Sequence, residues 1–235
     1  MEAFNNLAVV LAKRGKVDEA PEDFRSAVSL DPSDSDAQAN LGRALLSSDH
    51  PDQAIAHLKM ALQLGPETAD LHTSLGAALL QTSQAAEAIP HFQKSLHLAP
   101  RSVSASYLLG EALVETGRGP QAAAQWRAAL ELDPDRLPIL DHLASLLAIS
   151  SDANLRDRRE AVAMASHAAQ LTPAQRPQEI ATLSAACAEV AEFDKAIEWK
   201  RRATDLATRQ GDTQLAAILA NRLAMFRAKT PIRQP

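Results

Sequence analysis

Apolar positions in this chain recur in two helical stripes within every 34 residues. Leu7, Ala8 and Leu11 share one stripe at i, i+1, i+4 spacing, and Ala20, Phe24 and Ala27 share another at i, i+4, i+7. Between the stripes lies a break, marked by Gly15 in the first unit and by Asp49-His50-Pro51 and Gly117-Arg118-Gly119-Pro120 later. Leu-x-Pro closes each second stripe, at Leu30-Asp31-Pro32, Leu64-Gly65-Pro66, Leu98-Ala99-Pro100 and Leu132-Asp133-Pro134, with each Pro 34 residues after the last. Leu171-Thr172-Pro173 follows after 39, so five residues are inserted, and the expected place is a loop near 150–158. The pattern predicts two helices per unit, with Pro ending one pair and opening the next.

Placing the units in register produces columns. One reads Leu7, Leu41, Leu75, Leu109, Leu143 and Leu183, and its neighbour is always small: Ala8, Gly42, Gly76, Gly110, Ala144 and Ser184. A third reads Leu11, Leu45, Leu79, Leu113, Leu147 and Cys187. In the second helices Ala20, Ala54, Ala88, Ala122, Ala161 and Ala196 align, followed by the bulky Phe24, Leu58, Phe92 and Trp126. The small residue beside each Leu permits close approach, and the bulky residue fills the space next to it. One such pair cannot bury its own apolar face, whereas stacked pairs can.

Composition narrows the picture. Of 235 residues 46% are hydrophobic, only 3% are aromatic, and about a fifth are Ala, which favours helix over strand. This is too apolar for a disordered chain. A net charge of −5 gives no chain-wide basic field for nucleic acid, no apolar run approaches the length that spans a bilayer, and no signal-peptide layout opens the chain. A cytoplasmic protein without membrane insertion is expected. The lone Cys187 excludes an internal disulfide and any Cys-based zinc site.

These columns resemble the tetratricopeptide repeat (TPR) family, whose Leu-[Gly/Ala], Ala, aromatic, Ala and Pro positions match over nearly the whole chain. The resemblance implies an all-α, right-handed α-solenoid of about six helix pairs with a C-terminal capping helix. Residues 1–229 would form one solenoid, with units at 1–34, 35–68, 69–102, 103–136, 137–175 and 176–209, a cap at 212–228 and a tail at 230–235. The family's first aromatic column survives only as Phe4; Gln38, His72, Ser106, Leu140 and Ile180 replace it, and locally weaker packing is expected there. The last third, from His142-Leu143-Ala144 through Phe193-Asp194-Lys195-Ala196 to Trp199, is similar to the terminal TPR segment of large bacterial multidomain proteins.

Catalytic signatures are missing from the sequence. No His-x-x-x-His or Glu-x-x-His pair presents two ligands on one helix, no Gly-rich phosphate loop follows a strand, and no motif supplies Cys187 with a base. The expectation is a non-enzyme without metal or cofactor. His72 is placed on the core column and His57 and His91 on one column of the second helices. Arg156-Asp157-Arg158-Arg159-Glu160 reads as a solvated junction between loop and helix.

The face of each first helix opposite its Leu stripe carries the candidate site. The family resemblance implies that these columns contact an extended peptide or a helix of a protein partner. They comprise Asn6, Lys13, Asn40, Arg43, Thr73, Ser74, Gln81, Tyr107, Glu111, Glu115, Asp141 and His142. Stacked Asn6 and Asn40 can donate to and accept from a peptide backbone without reading its side chains. Lys13 and Arg43 come early and Glu111, Glu115 and Asp141 late, so a charge-polarised groove is expected, and Tyr107 with Glu111 is its candidate hot spot. The Lys/Arg clamp by which some family members hold a C-terminal carboxylate is not expected, because Asn5, Val9, Asp70 and Ser74 occupy most of its positions. The function read from these features is a non-catalytic protein-interaction module. Two alternatives stand beside it: a substrate-recruiting region of a larger bacterial kinase or glycosyltransferase, and self-association through an uncapped first unit.

Overall fold

The computed structural model describes residues 20–149, 155, 157–171, 193–209, 211–213, 216, 217 and 220, and every regular element among them is an α-helix. They are α1 (Ala20–Leu30), α2 (Ser35–Ser47), α3 (Pro51–Leu64), α4 (Ala69–Gln81), α5 (Ala85–Leu98), α6 (Val103–Glu115), α7 (Gly119–Leu132), α8 (Leu137–Ile149), α9 (Arg158–Leu171) and α10 (Phe193–Arg209). The second helices α1, α3, α5 and α7 end at Leu30, Leu64, Leu98 and Leu132, the Leu of each Leu-x-Pro. That Leu marks the period without joining the core: in α1, α3 and α5 it is 59%, 41% and 44% exposed.

The chain divides into two compact units, residues 1–125 and 126–235. In the first, α2 packs on α3 and α4 on α5, while α3 meets α4, α5 meets α6, and the first helices α2, α4 and α6 are neighbours in turn. Its core is the column set of the sequence: Leu41, Leu75 and Leu109, then Leu45, Leu79 and Leu113, then Ala54, Ala88 and Ala122, are all buried. An unforeseen core column lies one turn earlier, at Ala37, Leu71 and Ala105. In the second unit α8 packs on α9 around Ile139, Leu140, Leu143, Leu147, Ala161 and Ala168.

Gly42 and Gly76 explain the small column at atomic scale. A Cβ on Gly76 would stand 2.6 Å from Cε1 of Phe92, and one on Gly42 would stand 2.6 Å from Cγ of Leu58. The bulky side chain of each second helix therefore rests directly on the glycine of the first. The close approach is side chain against backbone.

Start and stop signals repeat with the same period. Asp34 accepts from the amides of Asp36 (2.9 Å) and Ala37 (3.1 Å), Thr68 accepts from Leu71 (3.2 Å), and Ser102 accepts from Ala105 (3.2 Å). Each satisfies an amide that the first turn of a helix leaves without an intrahelical partner. At the other end Asp49, Ser83 and Gly117 take the left-handed conformation, with φ of 59°, 60° and 75°. The next amide then reaches back over the last turn: His50 to the Leu45 carbonyl at 2.9 Å, Gln84 to Leu79 at 2.8 Å, Arg118 to Leu113 at 2.7 Å. This is the Schellman geometry, which glycine adopts without penalty and serine does not. Ser83→Gly should accordingly raise stability by about 0.5–1 kcal/mol. Asp49→Gly should gain less, since aspartate tolerates this region better. A shift of the urea midpoint at constant slope measures both.

At three of the positions where the family's first aromatic is replaced, a polar pair joins the two helices of the unit. Gln38 Oε1 lies 2.8 Å from His57 Nδ1, His72 Nδ1 lies 3.0 Å from His91 Nδ1, and Gln125 Nε2 donates to Ser106 Oγ at 3.1 Å. Gln38, His72 and Ser106 are all buried. Satisfied hydrogen bonds at this depth replace apolar contact and hold the register of the pair.

The expected inserted loop at 150–158 lies outside the described residues except for Leu155, which is buried, and the last residues leading into α9. The first helix of the sixth pair and Cys187 lie outside them. So does the expected cap at 212–228, apart from Asp212 and the helical Thr213, Ala216, Ala217 and Ala220.

Candidate partner-binding face

Three consecutive first helices, α2, α4 and α6, present the candidate face of the first unit. Their Leu stripes point into the core, so the opposite columns are left to solvent. Asn40, Ser74 and Leu108 occupy equivalent positions and are half-buried, whereas Asp36 and Asp70 on one side and Ser47, Gln81 and Glu115 on the other are exposed. The arrangement has a floor and two rims.

Side chains on the floor are tied to each other along their own helices. The Arg43 guanidinium donates to Asn40 Oδ1, which fixes the plane of the amide. Tyr107 donates its hydroxyl to Glu111 Oε1 at 2.8 Å, and both residues are half-buried. These pairs are one helical turn apart, the spacing at which side chains on a helix meet. Holding a Tyr and a Glu in one geometry reduces the side-chain entropy lost when a partner docks. Arg43 stands on α2 and Glu111 with Glu115 on α6, and the exposed Asp36 and Asp70 blunt the basic end.

Thr73 behaves differently. Its hydroxyl donates to the Ala69 carbonyl at 2.9 Å and lies 2.7 Å from Ser95 Oγ, a buried group on α5. It is a seam residue of the α4–α5 pair, with its single proton already used. Asn6 and Lys13 lie outside the described residues.

In the second unit Asp141 and His142 stand on α8. His142 Nδ1 donates to the Pro138 carbonyl at 2.6 Å, and its ring meets the buried Trp126 indole edge-on with centroids 5.7 Å apart. The ring covers the indole. At the start of α9, exposed Asp157 caps the helix through the amides of Arg159 and Glu160, and Glu160 takes a two-pronged bond from Arg127 at 2.8 and 2.6 Å. That hydrogen bond raises the affinity of Arg127 for its proton.

Among the described residues no three His, Cys, Asp or Glu side chains are grouped so as to hold a metal ion, and no helix is long and apolar enough to cross a membrane.

The sequence pattern of the tetratricopeptide repeat matches residues 11–78 and 79–147, together more than half of the chain. The chain belongs to the TPR family. Solved structures share its fold at low sequence identity. PilW, a type IV pilus biogenesis factor, superimposes with a TM-score of 0.75 at 16% identity, over 93% of this chain and 97% of PilW. PilF of Pseudomonas aeruginosa gives 0.74 at 19%, over 94% and 96%. YrrB, solved as a TPR protein with an unusual peptide-binding site, gives 0.60 at 24%, over 72% of this chain and 85% of YrrB. No curated protein matches the sequence significantly. The 34-residue columns are thus those of a TPR array.

Proposed function

We propose that this TPR chain is a non-catalytic interaction module that holds a segment of a protein partner, an extended peptide or a helix, against the outward face of α2, α4 and α6. The observation that carries this reading is the floor, where half-buried Asn40 is preset by the exposed Arg43 and half-buried Tyr107 by Glu111. YrrB, of the same fold, was solved with a peptide-binding site, which supports a peptide as the occupant. Arg43 favours an acidic stretch over α2, and Glu111 with Glu115 a basic stretch over α6. Charge order would set direction and on-rate, and Tyr107 would supply the apolar anchor.

Peptides selected from a displayed random library on the wild-type chain provide the test. The variant carrying Asn40→Ala and Tyr107→Ala should bind the selected peptides at least tenfold more weakly, a loss on the order of 1.4 kcal/mol or more. Its far-ultraviolet circular dichroism and melting temperature should stay close to wild type, since neither residue is in the buried core. Equal affinity of both proteins for every selected peptide would remove this face from consideration.

A further inference from the structure

We propose that the seam between α4 and α5 is a pH-operated latch, closed while the His72–His91 pair carries at most one positive charge and opened when both imidazoles are protonated. The two imidazoles stack with centroids 5.3 Å apart and planes at 29°, and their Nδ1 atoms approach to 3.0 Å. A contact of that length between two ring nitrogens requires one to carry a proton and the other a lone pair. Surroundings select which. His72 Nε2 is buried without a hydrogen-bond partner, and the nearest charge to it is Glu67 Oε2, 3.9 Å away. A lone pair aimed at a carboxylate is unfavourable and an N–H is favourable. His72 therefore carries its proton on Nε2, and His91 donates from Nδ1 to the bare Nδ1 of His72.

A first added proton can enter at Nε2 of His91, on a half-buried ring, and leaves the N–H···N bond in place, with the charge able to pass to His72, beside Glu67, by transfer of the shared proton. A second added proton must fill the lone pair that accepts this bond. Two N–H groups then face each other across the seam, with two like charges on stacked rings. The charged groups around the pair are Glu67 in the turn before α4, Lys94 and Glu87 on α5, and Lys59 on α3. Glu67 cannot neutralise the second charge fully, because Lys94 Nζ already holds it at 2.7 Å.

The proton balance runs in the same direction. Burial first, then the His72 imidazole and Lys59, hold His91 below its ordinary value of 6.5, against a smaller opposing pull from Glu87. Burial also lowers His72, against a smaller opposing pull from Glu67. Groups whose folded affinity for protons is reduced give stability that is complete above 6.5 and is lost as pH falls below it, since the unfolded chain then takes up the proton more readily. Thr73 and Ser95 stay bonded across the same seam at any pH in this window, so acid loosens the pair locally and leaves its apolar packing intact.

The neighbouring unit supplies a non-titrating template, because Ser106 and Gln125 occupy the same two positions. The double substitution His72→Ser with His91→Gln should therefore close the seam without an acid-sensitive proton. Hydrogen exchange of the full chain, corrected for intrinsic rates, should show amides of α4 and α5 losing about tenfold in protection from pH 7.5 to 5.5. Amides of the double variant should change by less than about twofold, a margin that reflects the absence of any shifted imidazole in the seam. His57 is present in both proteins and cancels. Equal pH dependence in the two would overturn the latch. Should the double variant not fold, titration of the wild-type imidazoles by NMR decides instead: a second protonation step of the His72–His91 pair at or above 6.5 overturns it, and a second step well below 6.5 supports it.

Discussion

Replacing Phe92 by alanine should lower the unfolding free energy of the chain by about 3–5 kcal/mol, the cost usual for removing a buried ring. Phe92 is fully buried, and its ring lies against Gly76 of the preceding helix. The removed surface would have to be refilled by movement of α4 toward α5, and that movement is blocked. The His72–His91 and Thr73–Ser95 contacts already set the distance between these helices. A cavity should therefore persist, placing the loss toward the upper end of the range. Urea unfolding followed by circular dichroism measures it, and a loss under 1 kcal/mol would mean that the seam is softer than its hydrogen bonds suggest.

Gly76→Ala should also destabilise, although alanine is the better helix former by about 1 kcal/mol. The new methyl would stand 2.6 Å from Cε1 of Phe92 and 2.9 Å from both Cδ1 and Cζ, so three ring carbons must move together. Overpacking of a rigid group costs about 1–3 kcal/mol, which outweighs the gain in propensity. Gly42→Ala meets the more adaptable Leu58, with Cγ at 2.6 Å and Cδ2 at 2.9 Å, and should cost less. In a Phe92→Leu background the Gly76→Ala substitution should cost less, as Gly42→Ala does against Leu58. That coupling, read from a double-mutant cycle, isolates the ring-on-glycine contact from everything else.

Much of the fold is visible in the sequence because each unit repeats the same demand on the same positions. The period locates the helix ends within a residue or two, since Pro cannot continue a helix and the Leu of Leu-x-Pro is its last residue. The starts were equally readable: Asp34, Thr68 and Ser102 form a perfect column of capping residues, a signal that the apolar columns overshadow. The Schellman turns were harder to see, because Asp49 and Ser83 stand where a glycine would have announced the geometry. The buried polar pairs are a subtler case. Gln38/His57, His72/His91 and Ser106/Gln125 share one spacing, yet a missing aromatic looks like a packing defect until the facing residue on the other helix is known. On the candidate face, Tyr107 and Glu111 are one turn apart on any helix, so their hydrogen bond follows from sequence alone. The engagement of Thr73 with Ser95 depends on the rotation of α4 against α5, which no periodicity specifies to that accuracy.

Start caps, stop turns and cross-helix polar pairs fall at fixed offsets within each 34-residue stretch. A deletion or duplication of one whole stretch between residues 34, 68 and 102 would remove or add a complete set of them. No helix end would be orphaned, no buried polar atom would lose its mate, and each glycine would keep its own ring or leucine above it. Such a chain can lengthen or shorten in evolution by cassettes, changing how many residues of a partner it spans without redesigning its interior.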